Sequence, residues 1–143
     1  MTKLQTNKKY DLEERTLRFA KQIIRLCKKL SKNTVNFKLV DQVVRSAGSI
    51  GANYREANDA LGKKDFIHRL RISRKEAKET AFWLELILEA NPNSKEEIDQ
   101  LIVECKEIRK ILSAIINKIT RKWTNHKNQT VWNLKFVWNA WYL

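Results

Sequence analysis

The sequence predicts an all-α protein, an antiparallel up-down-up-down four-helix bundle with an aromatic-rich C-terminal extension. Three observations lead there. Only 3 Gly and 1 Pro punctuate 143 residues, too few for the turns a sheet requires. Apolar residues recur at alternating steps of three and four along four segments, which is the spacing of one helix face. The connections between those segments are short, and short connections leave consecutive helices as neighbours. With 43% hydrophobic residues, a chain of this length buries roughly two-thirds of its unfolded surface. It is therefore expected to fold as one domain without metal or disulfides.

The elements follow in order. After a basic arm over residues 1–10, Asp11 with Glu14 three residues on resembles a capping box. Leu12, Thr16, Phe19, Ile23, Leu26 and Leu30 then mark a helix over 11–32. Asn33 and Thr34 break the pattern. A second stripe of Val43, Ala47, Ile50, Tyr54, Ala57 and Leu61 gives a helix over 36–61, with Gly62 as its stop. Phe66, Leu70, Ser73, Ala77, Thr80, Leu84 and Ile87 give a third over 64–90. Asn91-Pro92-Asn93-Ser94 is the one strong loop signal, and Ser94 with Glu97 repeats the capping pattern. Ile98, Leu101, Cys105, Ile108, Leu112, Ile115 and Ile119 place the fourth helix over 95–120. The Pro-containing break also leaves open a three-helix core with a swapped fourth helix.

Residues 121–143 read differently. They hold four of the 5 Trp, and Trp132, Leu134, Phe136 and Trp138 alternate with polar residues as in a strand. This tail is either a flexible, dispensable end or a docking segment, since aromatics concentrate at interface cores. Cys27 and Cys105 lie within apolar stripes, where a free thiol packs as a small hydrophobe. The mid-helix glycines Gly48 and Gly51 cost roughly 1 kcal/mol each. Either tight packing inside the bundle or a subunit contact would explain them.

Charge is the main functional clue. The chain carries Lys+Arg 29 against Asp+Glu 16, a net +13, and residues 1–32 alone hold ten basic and three acidic side chains. At 100° per residue, Arg18, Lys21, Arg25, Lys28, Lys29 and Lys32 fall opposite Leu12, Phe19 and Ile23. A solvated face normally mixes Glu with Lys, yet Glu14 is the only acid on this stripe. Such an array suits a phosphate backbone or an acidic protein. Arg71, Arg74, Lys75 and Lys78 add cations on the outer side of the third helix, diluted further along by Glu85 and Glu89. On the same helix Phe82, Trp83 and Leu86 project outside the core sector, and an apolar patch of this kind predicts a homo-oligomer interface.

Catalytic and metal-binding patterns are missing from the reading. His68 and His126 have no partners at ligand spacing, and no CxxC pair, glycine-rich phosphate loop or Gly-x-Ser-x-Gly elbow occurs. Glu76 and Glu79 are best read as ion-pair partners for Arg45 or Arg55. The expectation is a non-enzyme with no catalytic residue, metal or cofactor. It is expected to be cytoplasmic and without a membrane partner, since neither a signal-peptide core nor an apolar run of about 18 residues is present.

One resemblance adds to this. The run Val44-Arg45-Ser46-Ala47-Gly48-Ser49-Ile50-Gly51-Ala52-Asn53-Tyr54-Arg55-Glu56-Ala57, with Lys64-Asp65-Phe66-Ile67-His68-Arg69-Leu70 and Lys75-Glu76-Ala77-Lys78-Glu79-Thr80 before Trp83-Leu84, is similar to the 23S rRNA intervening-sequence proteins. The similarity covers about residues 10–120. It resembles more distantly the accessory proteins of diversity-generating retroelements, which are basic pentameric bundles that bind nucleic acid and a reverse transcriptase. The resemblance implies a left-handed bundle assembled as a ring, a pentamer, with no catalytic residue to carry over. The resulting expectation is an oligomeric nucleic-acid-binding module, RNA in preference to DNA. The alternative is an oligomeric adaptor docking an acidic protein such as a reverse transcriptase.

Overall fold

The computed structural model describes residues 11–140, with side chains over 11–125. It contains four helices: α1 (Leu12–Lys29), α2 (Thr34–Asn58), α3 (Lys63–Ala90) and α4 (Lys95–Ala140), with a 3-10 turn at Pro92–Ser94 leading into α4. No strand occurs among the described residues.

Local chemistry sets the helix ends. Asp11 caps α1, its carboxylate accepting from the amides of Glu13 and Glu14 at 3.0 and 3.2 Å, and the two acids in that first turn suit its positive end. Asn33 caps α2 by accepting from the Asn36 amide at 2.9 Å. The residues that interrupt the apolar pattern thus begin the helix, and α2 starts at Thr34 instead of 36. It stops at Asn58 instead of 61, so Leu61 stands fully in solvent and does not continue the α2 stripe. Lys32 likewise lies beyond α1, in the link to α2.

The fourth helix departs furthest from expectation. It does not end near Arg121 but runs on to Ala140, and the alternating segment at 132–138 is helical, not a strand. Pro92 is the last Gly or Pro in the chain, so no residue breaks the helix. A lone strand would leave its backbone groups unpaired, whereas a helix satisfies them internally. How the aromatic side chains beyond residue 125 pack lies outside what is described, as do the N-terminal arm and the His126 side chain.

Each helix packs beside its neighbours in chain order, and α4 closes back onto α1, while α1 and α3 stand diagonally opposite with no pair of Cα atoms within 8 Å. The start of α1 meets the end of α2 where the Asn58 amide donates to Glu13 at 2.7 Å. The start of α2 meets the end of α3 through Asn36 and Asn91, whose side chains exchange hydrogen bonds of 2.9 and 2.8 Å. Asn36 is buried and also donates to the Ser31 carbonyl at 2.8 Å, so this polar pair is satisfied. Sequence periodicity gave no sign of it.

The core follows the apolar stripes. Phe19, Ile23, Leu26, Ile50, Leu70 and Leu84 are fully enclosed, as are Ile98, Ile108 and Leu112. Small residues let α2 and α3 approach closely: Ser46, Ala47, Ser73, Ala77 and Thr80 are all buried. The Ser73 hydroxyl donates to the Ile50 carbonyl at 2.7 Å, and Thr80 Oγ1 meets Ser46 Oγ at 2.9 Å. Unpaired, each hydroxyl would cost on the order of 1–3 kcal/mol.

The two glycines of α2 separate on structural grounds. A Cβ on Gly51 would lie 3.0 Å from Thr16 Oγ1 on α1, whereas one on Gly48 would meet nothing within 4 Å. Gly51 therefore belongs to packing inside the bundle. Gly51→Val is expected to destabilise the fold by about 1–3 kcal/mol through overpacking, and Gly48→Ala to stabilise it by about 0.4–1 kcal/mol. Urea titration measures both.

Both thiols are free. Burial pushes Cys27 up to about 11 and Cys105 up to about 12. The Cys105 Sγ lies 3.0 Å from the Ala77 carbonyl, to which it donates. With so little thiolate, native labelling at pH 8 is expected to be roughly a hundredfold slower than in urea for Cys27, and slower still for Cys105. Because these thiols ionise more readily when unfolded, stability should fall as pH rises from about 9. Full-speed labelling of native protein would show that the thiols are open to solvent.

Candidate nucleic-acid interface

The six cations of the α1 stripe do not share one environment. A groove of about 1090 Å³ runs between α1 and α4. Its α1 wall presents Arg15, Arg18, Arg25, Lys28 and Lys29 around Gln22, and its α4 wall presents Glu97, Gln100 and Glu104 around Leu101. Asp11 and Glu14 close one end. Lys21 is exposed but stands outside the groove, and Lys32 lies past the helix end.

The two walls are tied together by ion pairs. Arg15 grips Glu104 with two hydrogen bonds, at 2.5 and 2.7 Å, and this contact raises the Arg15 pKa further. Lys29 Nζ donates to both oxygens of Glu97 at 2.9 Å. Glu97 thus turns to α1 across the groove, so Lys29 is not a free cation. The seven-residue spacing of Glu97 and Glu104, two turns on one face, was the sequence signal for this acidic wall.

Ion pairing elsewhere separates free from occupied cations. Arg45 bonds Glu79 and lies 3.5 Å from Glu76, as the sequence reading expected. Arg55 turns instead to Glu13, at 3.9 Å. Arg69 faces Asp65 at 3.8 Å, Lys95 faces Asp99 at 2.6 Å, and Lys110 faces Glu107 at 2.8 Å. By contrast, the side chains of Arg18, Lys21, Arg25 and Lys28 make no ion pair among the described residues. They occupy α1 at steps of three, four and three, a ridge about 15 Å long.

Arg71, Lys75 and Lys78 are exposed on α3, Arg74 is partly buried beside them, and none of the four is ion-paired among the described residues. Because α1 and α3 stand diagonally across the bundle, with no pair of Cα atoms within 8 Å, this patch is separate from the α1 ridge. The ten predicted cations are therefore not one surface: Arg18, Lys21, Arg25 and Lys28 lie on α1, Arg71, Arg74, Lys75 and Lys78 on α3, Lys29 is paired with Glu97, and Lys32 lies in the link to α2. Phe82 and Leu86, further along α3, are 53% and 38% exposed. Trp83 differs from them: it packs partly on the protomer's own core, donates to Glu79 at 3.3 Å, and meets the Phe82 ring edge-on at 5.1 Å. Other exposed apolar residues that the sequence reading did not single out include Phe37 on α2 and Val103 on α4.

Among the described residues, no group of three or more potential ligand side chains gathers as a metal site would require. No described helix is long and apolar enough to cross a membrane.

These features define a basic helical-bundle protein that carries unpaired cations on α1 and on α3. Comparison with known proteins places it further: the model of the 23S rRNA-intervening sequence protein family matches residues 8–114, and the chain belongs to that family. No curated protein matches it. Among solved structures it is similar to a protein of unknown function from the S23 ribosomal protein family of Bacteroides thetaiotaomicron. The two share 39% identity over 74% of this chain and 95% of the other, with a TM-score of 0.69.

Proposed function

We propose that this protein is a non-enzymatic nucleic-acid-binding module, RNA in preference to DNA, acting in the cytoplasm as a homo-oligomer, with a pentamer as the expected number. Its scaffold is an up-down-up-down bundle, a reading supported by the end-to-start contacts of successive helices. The observation that carries the function is the arrangement along α1: Arg18, Lys21, Arg25 and Lys28 stand exposed side by side with no carboxylate on any of them, while Arg15 and Lys29 of the same helix are held by Glu104 and Glu97. Like charges so arranged repel one another until a polyanion lies beside them. Phosphate contacts of this kind position a nucleic acid without reading its sequence.

Four such contacts predict a logarithmic salt slope of about −3.6 on a duplex. RNA affinity should therefore fall roughly a hundredfold between 50 and 200 mM salt. Fluorescence anisotropy with labelled RNA measures it, and affinity that is flat with salt would overturn this reading.

The adaptor reading has one observation in its favour. Phe82 and Leu86 share α3 with the unpaired Lys75 and Lys78, and a mixed apolar and basic face suits an acidic protein, a reverse transcriptase included. Co-purification of such a partner that survives nuclease treatment would support it.

A further inference from the structure

We infer that the α1 ridge receives double-stranded RNA in preference to single-stranded RNA, an inference that rests on the nucleic-acid reading and deepens it. The groove beside the ridge offers the obvious path for a single strand, and its electrostatics work against that path. Across it, Glu97 and Glu104 face the α1 cations and already hold Lys29 and Arg15, while Asp11 and Glu14 close one end. A strand threading this groove would bring its phosphates beside carboxylates and would have to break two ion pairs to gain their cations. The cationic surface available without that penalty is the solvent-facing side of α1, where Lys21 stands clear of the groove beside the exposed, unpaired Arg18, Arg25 and Lys28, which also line the groove's α1 wall.

The shape of that edge matters as well. It is the convex outer side of a helix, with its four cations spread over about 15 Å, so it touches a broad rigid surface better than it wraps a flexible chain. A duplex presents one phosphate charge per about 1.7 Å of axis, which keeps all four cations supplied along the ridge. Single-strand sites add aromatic platforms on which bases stack, and no aromatic residue lines this groove. Phe19, the aromatic residue of α1, is enclosed in the core. Double-stranded RNA is recognised mainly through shape and backbone, and backbone contact is what this ridge can make.

The experiment compares a labelled 20-base-pair RNA duplex with one of its strands, chosen to be unable to self-pair, using the full-length chain at 100 mM salt. The duplex is expected to bind at least tenfold tighter. Its logarithmic salt slope of about −3.6 should fall by about 1 with either Arg18→Gln or Arg25→Gln. Equal or tighter binding of the single strand would overturn the inference while leaving the nucleic-acid reading standing. Failure to bind either probe would overturn both and leave the protein-docking alternative. A slope unchanged in both variants would move the duplex away from α1 and so overturn the inference too.

Discussion

Reversing three charges together, Arg18→Glu, Lys21→Glu and Arg25→Glu, is expected to cut RNA affinity at least roughly a hundredfold near 0.1 M salt, because phosphate contacts dominate such binding. Three of the four unpaired ridge cations would become repulsive, so the loss includes new like-charge contacts as well as missing attractive ones. All three side chains are exposed, and none is ion-paired among the described residues. The helical signal and the thermal midpoint should therefore change little, which separates lost binding from lost folding. The matched comparison is Arg71→Glu, Lys75→Glu and Lys78→Glu on α3, which alters net charge equally on a helix diagonally across the bundle from α1. That variant should lose less than about tenfold, within the reach of long-range charge alone. Equal losses in the two variants would mean that overall charge, and not the ridge, governs binding.

Phe82→Glu combined with Leu86→Glu is expected to convert an assembly several times the 17.0 kDa protomer into single chains. Both side chains are large, apolar and open to solvent in the isolated protomer. Burying each against a neighbour contributes roughly 1.5–3 kcal/mol. In the proposed ring, removing two per subunit would weaken assembly by several orders of magnitude. Charge works in the opposite direction, since each subunit carries +13. Assembly of the unaltered chain should therefore strengthen as salt or RNA screens that repulsion. Val103→Glu, at an exposed apolar position on α4, is the control and should leave assembly intact. Light scattering reads all three chains. A wild-type monomer at micromolar concentration would remove the interface, whereas a dimer or tetramer would remove only the number five, which rests on family resemblance.

Much of the bundle was legible because helix periodicity is local. Every apolar position read for α1, from Leu12 to Leu30, is buried, since a side chain's place on a helix depends on its neighbours three and four residues away. The cap at Asp11 was readable for the same reason. Helix ends were less so: Asn33 interrupts the apolar pattern and also starts α2, and a polar residue at a helix boundary can do either. At Trp132 to Trp138 the alternation of a short apolar run misled, because period alone does not decide whether a strand has anything to pair with.

For the candidate site, the sequence by itself determined which residues lie on the outer face of α1, and hence that Arg18, Lys21, Arg25 and Lys28 point away from the core. Only the tertiary structure decided which cations stay free. Lys29 belongs to the same stripe, yet Glu97, 68 positions along the chain, holds it at 2.9 Å, and Arg15 is gripped by Glu104 from 89 positions away. Tertiary packing likewise separated Arg71, Lys75 and Lys78 from the ridge by placing α1 and α3 diagonally opposite each other. The physical reason is that Coulomb attraction depends on distance through space, and that distance exists only once α4 has packed beside α1.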